Sequence, residues 1–277
     1  MQINFTKMQA SGNDFIVIDA TQQPISLSTS QIHHLASRHY GVGCDQLLMI
    51  GSPILIQHNQ MSYPIKIYNS DGSEVQQCGN GLRAIASFLA TTVQQEQHAF
   101  LLQVADQIYP TSRQENNHFA VNLGQPIWLP NKIPANFSQR QMHYQLPYQQ
   151  KNYQAGLVSF ANPHCVIVVD SLTEFPLVEF GEALNNNPCF PEGINLECIQ
   201  LLDKHTIAMR VYERGVGETQ ACGSGACAAV ACGHLWQYLA NRVTVRLNQS
   251  ELIVELKEDG YWLSGAVEKV FIGTIHL

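Results

Sequence analysis

One short sequence pattern occurs twice in this chain, at an offset of 144 residues. In each copy a tyrosine, a glutamate and a glutamine precede a Cys-Gly-x-Gly step that leads into an apolar run. The matching residues are Tyr68, Glu74, Gln76, Cys78, Gly79, Gly81 and Ala84 in the first copy and Tyr212, Glu218, Gln220, Cys222, Gly223, Gly225 and Ala228 in the second. A repeated element of this kind predicts a duplicated fold unit. The length of 277 residues agrees, because it exceeds what one small core usually requires.

The charge and the lengths of the apolar runs argue against nucleic-acid and membrane binding. The net charge is −7 and only 13% of residues are charged, whereas a nucleic-acid-binding face needs clustered basic residues. No stretch approaches the roughly 18 apolar residues of a membrane helix, and the first residues lack the apolar segment of a secretory signal. We therefore expect a cytoplasmic protein that binds neither nucleic acid nor membrane.

The cysteines predict reduced thiols. The chain has eight: Cys44, Cys78, Cys165, Cys189, Cys198, Cys222, Cys227 and Cys232. No two form Cys-x-x-Cys, and the five-residue steps that end the series are not a usual zinc spacing. Since the chain can build a real core, it does not need disulfides for stability. We expect no metal site.

Hydrophobic periodicity predicts two similar halves, each made of strands around one apolar helix. The predicted halves are 1–123 and 124–267, and the Pro- and Gln-rich stretch 124–155 is the candidate inter-domain region. The predicted helices are 31–39, 81–91 and 223–239. The predicted strands are 3–7, 15–19, 46–50, 66–69, 99–104, 119–123, 166–169, 243–247 and 252–256.

The repeated cysteines stand where acid–base chemistry is expected. A free thiol titrates near pH ~8.5, and the unpaired N–H groups at a helix start favour the thiolate. The same N–H groups bind carboxylates, and glycines let the backbone approach a ligand. Cys78 and Cys222 together therefore predict a two-base site that removes a proton from one face of a carbon and returns one to the other. The structural alternative for each cysteine alone is a small core residue.

Polar residues beside turns and strand ends suit a small zwitterionic substrate. Four of them are asparagines, at positions 13, 69, 162 and 195. An arginine fork binds a carboxylate with two hydrogen bonds, which makes Arg214 a candidate clamp, and Glu213 beside it could accept from an ammonium group. His164 is either a turn residue or a group that polarises a thiol.

These motifs together resemble the diaminopimelate epimerase family over almost the whole chain. The resemblance rests on the segments 7–15, 41–46, 68–74, 78–81, 162–164, 193–195, 213–219 and 221–226. It implies a mixed α/β (α+β) fold of two pseudo-symmetric domains. Each domain is expected to be a curled, mostly antiparallel sheet around a central helix, with the site in the cleft between the domains. It also implies that the last strand, about 268–277, returns to the first domain.

The resemblance implies an enzyme, a cofactor-independent amino-acid epimerase that interconverts LL- and meso-2,6-diaminopimelate for lysine and peptidoglycan precursors, as a homodimer. Cys78 and Cys222 are then the catalytic thiols, supported by His164 and Glu213. The substrate-binding residues it implies are Asn13, Gln46, Asn69, Gly79, Asn80, Asn162, Asn195, Glu213, Arg214, Gly223 and Ser224. No pyridoxal phosphate, metal or nucleotide is expected.

Some residues depart from the family pattern, and two other functions stay open. Cys44 stands where alanine is usual, which predicts a further oxidisable thiol near the site, and Ala161 stands where glycine is usual. Gln76, Gln77 and Leu82 are also atypical. One alternative is a proline or hydroxyproline racemase, which uses the same two-cysteine logic. The other is a thiol redox or binding protein on the same duplicated fold.

Overall fold

The chain folds as two compact units. The computed structural model describes residues 2–56, 59–93 and 97–277. The first unit comprises Met1–Asn122 and Ser264–Leu277, and the second comprises Leu123–Leu263. Both are mixed α/β, with strands far outnumbering helices among the described residues.

Nine strands precede residue 123 in the described part of the chain, and several of them are buried over most of their length. They are β1 (Gln2–Ala10), β2 (Asn13–Asp19), β3 (Gln46–Ile50), β4 (Ile54–Ile56), β5 (Gln60–Asn69), β6 (Glu74–Val75), β7 (Ala99–Val104), β8 (Gln107–Arg113) and β9 (His118–Asn122). Those that follow are β10 (Tyr144–Tyr148), β11 (Lys151–Phe160), β12 (Asn162–Val168), β13 (Asn195–Asp203), β14 (Thr206–Glu213), β15 (Gly217–Thr219), β16 (Arg242–Arg246), β17 (Glu251–Lys257), β18 (Gly260–Ala266) and β19 (Glu268–His276).

Four α-helices are described. They are α1 (Thr29–Ala36), α2 (Gly79–Phe88), α3 (Leu177–Asn185) and α4 (Gly223–Leu235). The wider turn Leu89–Val93 continues α2, and short 3₁₀ turns cover Glu115–Asn117 and Pro130–Lys132. None of the helices in the described part of the chain has the length and apolar character needed to cross a bilayer.

The two units pair their strands in the same order and direction. In the first, β19, β1 and β2 are successive antiparallel neighbours, β3 is parallel to β2, and β5 is antiparallel to β3. Strand β5 also pairs with β6 antiparallel and with β7 parallel, and β7 pairs with β8 antiparallel. In the second, β10 to β17 repeat this scheme strand for strand. Strand β4, which pairs with β5 antiparallel, has no counterpart among the strands β10 to β17. The duplicated pattern of the sequence thus corresponds to a duplicated topology.

The two helices that follow the repeated cysteines are buried inside their own units. Helix α2 packs on β1, β8 and β9, and α4 packs on β11, β12 and β13. All residues of α2 are buried, including the guanidinium-bearing Arg83, and so are the first eleven of α4. A helix that is apolar nearly all round is expected to lie inside its domain, as both do.

Two predicted helix ends were wrong. Helix α1 starts at its Ser28 cap but ends at Ala36, because the loop amides of Val42 and Gly43 bond back to the Leu35 carbonyl. Helix α4 ends at Leu235, because Gln237 adopts φ 62° and the chain turns back. The apolar Leu239, which suggested a longer helix, instead packs against Gly233.

The stretch 124–155, expected to connect the halves, belongs to the second unit. Its residues Ile133, Tyr144 and Leu146 lie in that unit's main hydrophobic cluster. Strand β8 was not predicted, because Pro110 and polar neighbours obscure its alternation.

Candidate active site

In the first unit, Cys78 occupies the cap position of α2. Its φ of −150° and ψ of 103° turn the chain into the helix, and its sulfur accepts a hydrogen bond from the Gly81 amide at 3.3 Å. The thiol also lies 3.8 Å from Asn13 Oδ1. The amides of Gly79 and Asn80 belong to the first turn, where N–H groups have no partner within the helix. One thiol and a set of anion-binding donors therefore occur together.

The orientation of Asn13 is set by a charged cluster behind it. Its Nδ2 donates to Asp45 Oδ2 at 2.8 Å, which leaves Oδ1 toward the thiol. Arg38 bridges Asp45 and Asp14, and Lys7 pairs with Asp14 at 2.6 Å. Burial by itself raises the pKa of Asp14, but the hydrogen bonds from Arg38 and Lys7 outweigh it and hold that pKa well below its usual value. The cluster is thus a permanent set of ion pairs at neutral pH.

Two more predicted binding residues stand at the same end of the sheet. Gln46 begins β3 and Asn69 ends β5, and the two are paired in register. Gln46 Nε2 donates to Asn69 Oδ1 at 3.1 Å, and Asn69 Nδ2 donates to the Ser73 hydroxyl. Asn13 begins β2, the parallel neighbour of β3. The topology therefore places three amide side chains at one end of three adjacent strands.

The side chain of Asn80 points into the unit. It is 2% exposed, and its Oδ1 accepts from the guanidinium of Arg83 at 2.8 Å. Arg83 also donates to the Ser11 hydroxyl and to the Ala266 carbonyl. A buried cation one turn into α2 adds to the positive end of the helix dipole. Asn80 can therefore serve a ligand through its backbone N–H, with its side chain held by Arg83.

In the second unit, Cys222 occupies the equivalent cap of α4. It is buried, and its sulfur lies 3.5 Å from the Ser224 hydroxyl. Burial raises the pKa of this thiol well above its usual value, and the carboxylates of Glu213 and Glu197 raise it further. The Ser224 hydroxyl and the Gly225 amide partly oppose these effects. Near neutral pH this cysteine is a thiol, the form that can give a proton.

A histidine and a glutamate are buried beside Cys222. His164 Nδ1 and Glu197 Oε1 are 2.7 Å apart, and both side chains have no exposed surface. One nitrogen of His164, one carboxylate oxygen of Glu197 and the Cys222 sulfur all lie within 4.8 Å of one another. Zinc accepts these three donor types. However, the His164–Glu197 hydrogen bond already occupies one potential metal-ligating atom of each residue, His164 Nδ1 and Glu197 Oε1.

Glu213 ends β14 close to the second thiol. Its Oε1 accepts from the Thr219 hydroxyl at 2.5 Å. Burial raises the pKa of Glu213, and the hydrogen bond from Thr219 opposes that shift. The negative charge of Glu197 raises the pKa of Glu213 further, so this carboxyl holds a proton more readily than an exposed glutamate does.

The other predicted residues of the second unit also lie at strand ends. Asn162 begins β12 and Asn195 begins its parallel neighbour β13. Asn195 Oδ1 accepts from the Arg214 amide, and Arg214 Nη1 donates to the Glu192 carbonyl, both at 2.8 Å. Gly193 has φ +71°, and a Cβ there would come within 2.9 Å of the Arg214 side chain. The Gly-Ile-Asn motif therefore orients the arginine.

Sequence reasoning did not assign roles to Glu197, Arg83 or Asp45. A signal for the first was available, because Glu197 interrupts the short apolar run from Leu196 to Ile199. A carboxylate in such a strand requires a buried partner. The sequence analysis did not single out Arg83 or Asp45, because Arg83 contacts Ser11 and Ala266, and Asp45 contacts Asn13, which are distant in the chain.

Cys44 is not the reactive thiol that the sequence suggested. It is 2% exposed. Burial raises its pKa to about 12. Thiolate is the oxidisable form, so Cys44 is inert near neutral pH. Burial likewise raises the pKa values of Cys165, Cys198 and Cys232 well above the usual range, which agrees with core roles.

The chain matches one sequence family over most of its length. The family model described as diaminopimelate epimerase matches residues 5–129 and 156–272. The chain is 39% identical to a diaminopimelate epimerase of Alkalilimnicola ehrlichii, with all of both chains covered. It is also 39% identical to one of Blochmanniella pennsylvanica, over 99% of this chain and 100% of that one. A third, from Coxiella burnetii, is 40% identical over 92% of this chain and 91% of the relative.

Solved structures share the fold at low identity. A phenazine biosynthesis protein of the PhzF family from Enterococcus faecalis aligns with a TM-score of 0.69 at 14% identity, with all of both chains covered. A hydroxyproline epimerase from Agrobacterium vitis, with bound trans-4-hydroxy-L-proline, aligns with a TM-score of 0.69 at 12% identity. That alignment covers 99% of this chain and 92% of the other. These likenesses support the mixed α/β two-domain fold class expected from the sequence.

Proposed function

The chain belongs to the diaminopimelate epimerase family, and from this membership we propose that it interconverts LL- and meso-2,6-diaminopimelate in the cytoplasm, for lysine and peptidoglycan precursors. The observation that carries the proposal is the duplicated cysteine. Cys78 and Cys222 cap equivalent buried helices, each after a strand pair of the same topology.

In the proposed reaction the two thiols act on opposite faces of one α-carbon. The thiolate of one cysteine takes the α-proton, so the C–H bond breaks and its electron pair remains on carbon, delocalised into the carboxylate. The thiol of the other cysteine gives its proton to the opposite face, so a new C–H bond forms and a thiolate remains. Each turnover therefore exchanges the roles of the two sulfurs.

Amides at the two helix starts would stabilise the charge that develops. We assign the α-carboxylate to the first-turn N–H groups of Gly79, Asn80, Gly223 and Ser224. Neutralising this carboxylate lowers the barrier to forming a carbanion-like state. The route requires no pyridoxal phosphate, metal or nucleotide, because the helix starts supply the electrostatic stabilisation.

The remaining polar groups would hold the substrate. The proposed set is Asn13, Gln46, Asn69, Asn162, Asn195, Glu213 and Arg214. A fixed grip on the unreactive L-centre explains how an enzyme inverts only one of two similar centres, since remote binding energy sets orientation. Glu213 and His164 would tune the protonation of Cys222, given the raised pKa of Glu213 and the proximity of both carboxylates to the thiol.

We further propose that the protein is a homodimer. Support comes from β19, where three consecutive apolar residues are exposed in the single chain. Val270 is 56%, Phe271 47% and Ile272 69% exposed. A contiguous apolar patch on a strand is typical of a protein–protein interface.

A proton NMR assay in D₂O under reducing conditions tests the reaction. LL-diaminopimelate and L-proline are offered separately to the native protein. We expect loss of the α-proton signal and appearance of the meso isomer with diaminopimelate alone. Exchange with proline alone would assign the chain to proline racemase chemistry. No exchange with either, from folded and reduced protein, would favour a redox or binding function.

Cysteine variants test the two-base mechanism. We expect Cys78→Ala and Cys222→Ala each to lower turnover by a factor of ~10² or more, because a positioned acid–base group typically contributes ~10²–10⁴-fold. Cys189→Ala is the matched control, because this half-buried thiol lies outside the repeated motif. Turnover near that of the control in either variant would contradict the mechanism.

A further inference from the structure

We infer that Glu197 is a positioning residue, which holds His164 with Nδ1–H toward its carboxylate so that Nε2 can exchange a proton with Cys222. This role rests on the proposed function, because it concerns how Cys222 loses and regains its proton. It also makes the two halves of the duplicated site chemically different.

The duplication itself shows that the fold does not need this pair. His164 and Glu197 lie on the parallel strands β12 and β13, whose equivalents in the first unit are β2 and β3. In the registers of those strands His164 faces Asn195 and Phe15 faces Gln46. The positions equivalent to His164 and Glu197 are therefore Phe15 and Leu48, both fully buried. The same architecture forms with two apolar residues in place of the polar pair.

Burying this pair is costly, so a purely structural role is a poor explanation. Both side chains have no exposed surface. Within the described residues, His164 Nε2 and Glu197 Oε2 lack a hydrogen-bond partner. Well-packed apolar residues are often as stable as a buried ion pair, or more stable. A buried polar pair next to a candidate catalytic thiol therefore indicates a role in the reaction rather than in stability.

The second glycine of the Cys-Gly-x-Gly motif makes room for the carboxylate. A Cβ on Gly225 would lie 2.5 Å from Glu197 Oε1. At the equivalent Gly81 the nearest atom would be a methyl carbon of Leu48, at 3.2 Å. The two glycines at this position of the repeat therefore differ in what they contact. Gly225 leaves space for the Glu197 carboxylate, and Gly81 lies against an apolar side chain.

An ionised Glu197 fixes which imidazole nitrogen is available. A carboxylate 2.7 Å from Nδ1 requires a proton on Nδ1, so a neutral His164 carries its lone pair on Nε2. When Cys222 becomes a thiolate, its S–H bond breaks and an Nε2–H bond can form, with the positive charge facing Glu197. The reverse transfer restores the thiol. Many enzymes use the same arrangement: a histidine exchanges a proton with the reacting side chain, and a third group orients the histidine.

Two variants test this role. Glu197→Gln keeps the volume and removes the charge. The double variant His164→Phe with Glu197→Leu installs the pair that the first unit already uses, so it should fold, with a melting temperature at or above that of the native protein. We expect kcat/KM for diaminopimelate to fall at least ~10-fold in Glu197→Gln, the lower end of the ~10–100-fold effect of removing a carboxylate behind a metal-binding histidine. The double variant, which also lacks the imidazole, should lose ~100-fold.

Leu48→Met in the first unit is the matched control. It conserves volume at the position equivalent to Glu197 and should keep kcat/KM within about twofold of native, because isosteric core exchanges are tolerated. A Glu197→Gln variant with the native rate and the native pH profile would overturn the inference. So would a double variant that is as active as the control.

A spectroscopic measurement separates this inference from the proposed function. Long-range ¹H–¹⁵N spectra of histidine-labelled native protein report the tautomer, and the signals lost in the double variant are those of His164. A protonated Nδ1 supports the inference, and a bare Nδ1 overturns it, whatever the substrate. If the native protein does not epimerise diaminopimelate, the proposed function fails while this measurement still decides the tautomer.

Discussion

Ala161 adopts a backbone conformation that favours glycine. Its φ is 64°, in the one-residue turn between β11 and β12. Left-handed backbone costs a residue with a Cβ roughly 1–2 kcal/mol. The departure from the family pattern seen in the sequence therefore corresponds to local strain, three residues before the buried His164.

Relief of that strain is testable. We expect Ala161→Gly to raise the free energy of unfolding by about 1 kcal/mol, because glycine accepts this φ without strain. Urea denaturation measures the change. The matched control is Gly215→Ala, at φ +77° with no atom within 4 Å of the new Cβ, which should cost about as much. Destabilisation by Ala161→Gly would contradict the expectation.

At the scale of elements, the two central helices start alike but pack differently. Helix α2 rests on apolar Leu48 and carries the buried cation of Arg83, whose equivalent in α4 is the neutral Cys227. Helix α4 instead rests on the carboxylate of Glu197. The duplicated helices therefore differ in buried charge, because α2 carries a guanidinium and α4 rests on a carboxylate.

Equivalent glycine substitutions should therefore have unequal costs. We expect Gly225→Ala to lower the free energy of unfolding by roughly 1–3 kcal/mol, since a Cβ 2.5 Å from a buried carboxylate oxygen forces a shift. Gly81→Ala meets a flexible leucine end at 3.2 Å, and the gain in helix propensity of up to about 1 kcal/mol offsets that contact. Urea denaturation of both variants measures the difference. Equal effects would show that Glu197 moves aside without cost.

At the scale of the whole molecule, the C-terminal strand joins the chain's two ends. Strand β19 pairs antiparallel with β1 from Gln2 to Gln9, and Phe271 packs edge-on against Phe5 at 5.9 Å between ring centres. Its exposed apolar residues are those that we assign to a dimer interface.

Mass measurement tests the interface. Light scattering should give the mass of two chains of 30.9 kDa for the native protein. It should give one chain for Ile272→Glu, because a charge cannot be desolvated in an apolar contact without a partner. Tyr40→Glu, at an exposed tyrosine outside the patch, is the control and should leave the mass unchanged. A native mass of one chain would rule out the dimer.

Much of the fold was readable from the sequence, because strands and buried helices carry local periodicity. Strand β3 and strand β7 have the predicted limits, and both central helices begin within two residues of the predicted start. Strand β8 and helix α3 are among the elements that were not predicted, and two predicted helix ends were wrong, those of α1 and α4. There the chain turns back through contacts with residues further along, which no local pattern encodes.

The candidate site divides in the same way. The sequence by itself determined the repeat, the two cysteines at helix starts and the polar residues at strand ends, because each has a local signal in residue type and spacing. Only the tertiary structure decided the surroundings of each thiol: Arg83 beneath Asn80, Asp45 behind Asn13, and Glu197 against His164. Those contacts join segments that are distant in the chain or one turn apart in a buried helix. They depend on strand register and on side-chain packing, which arise only when the sheet has formed.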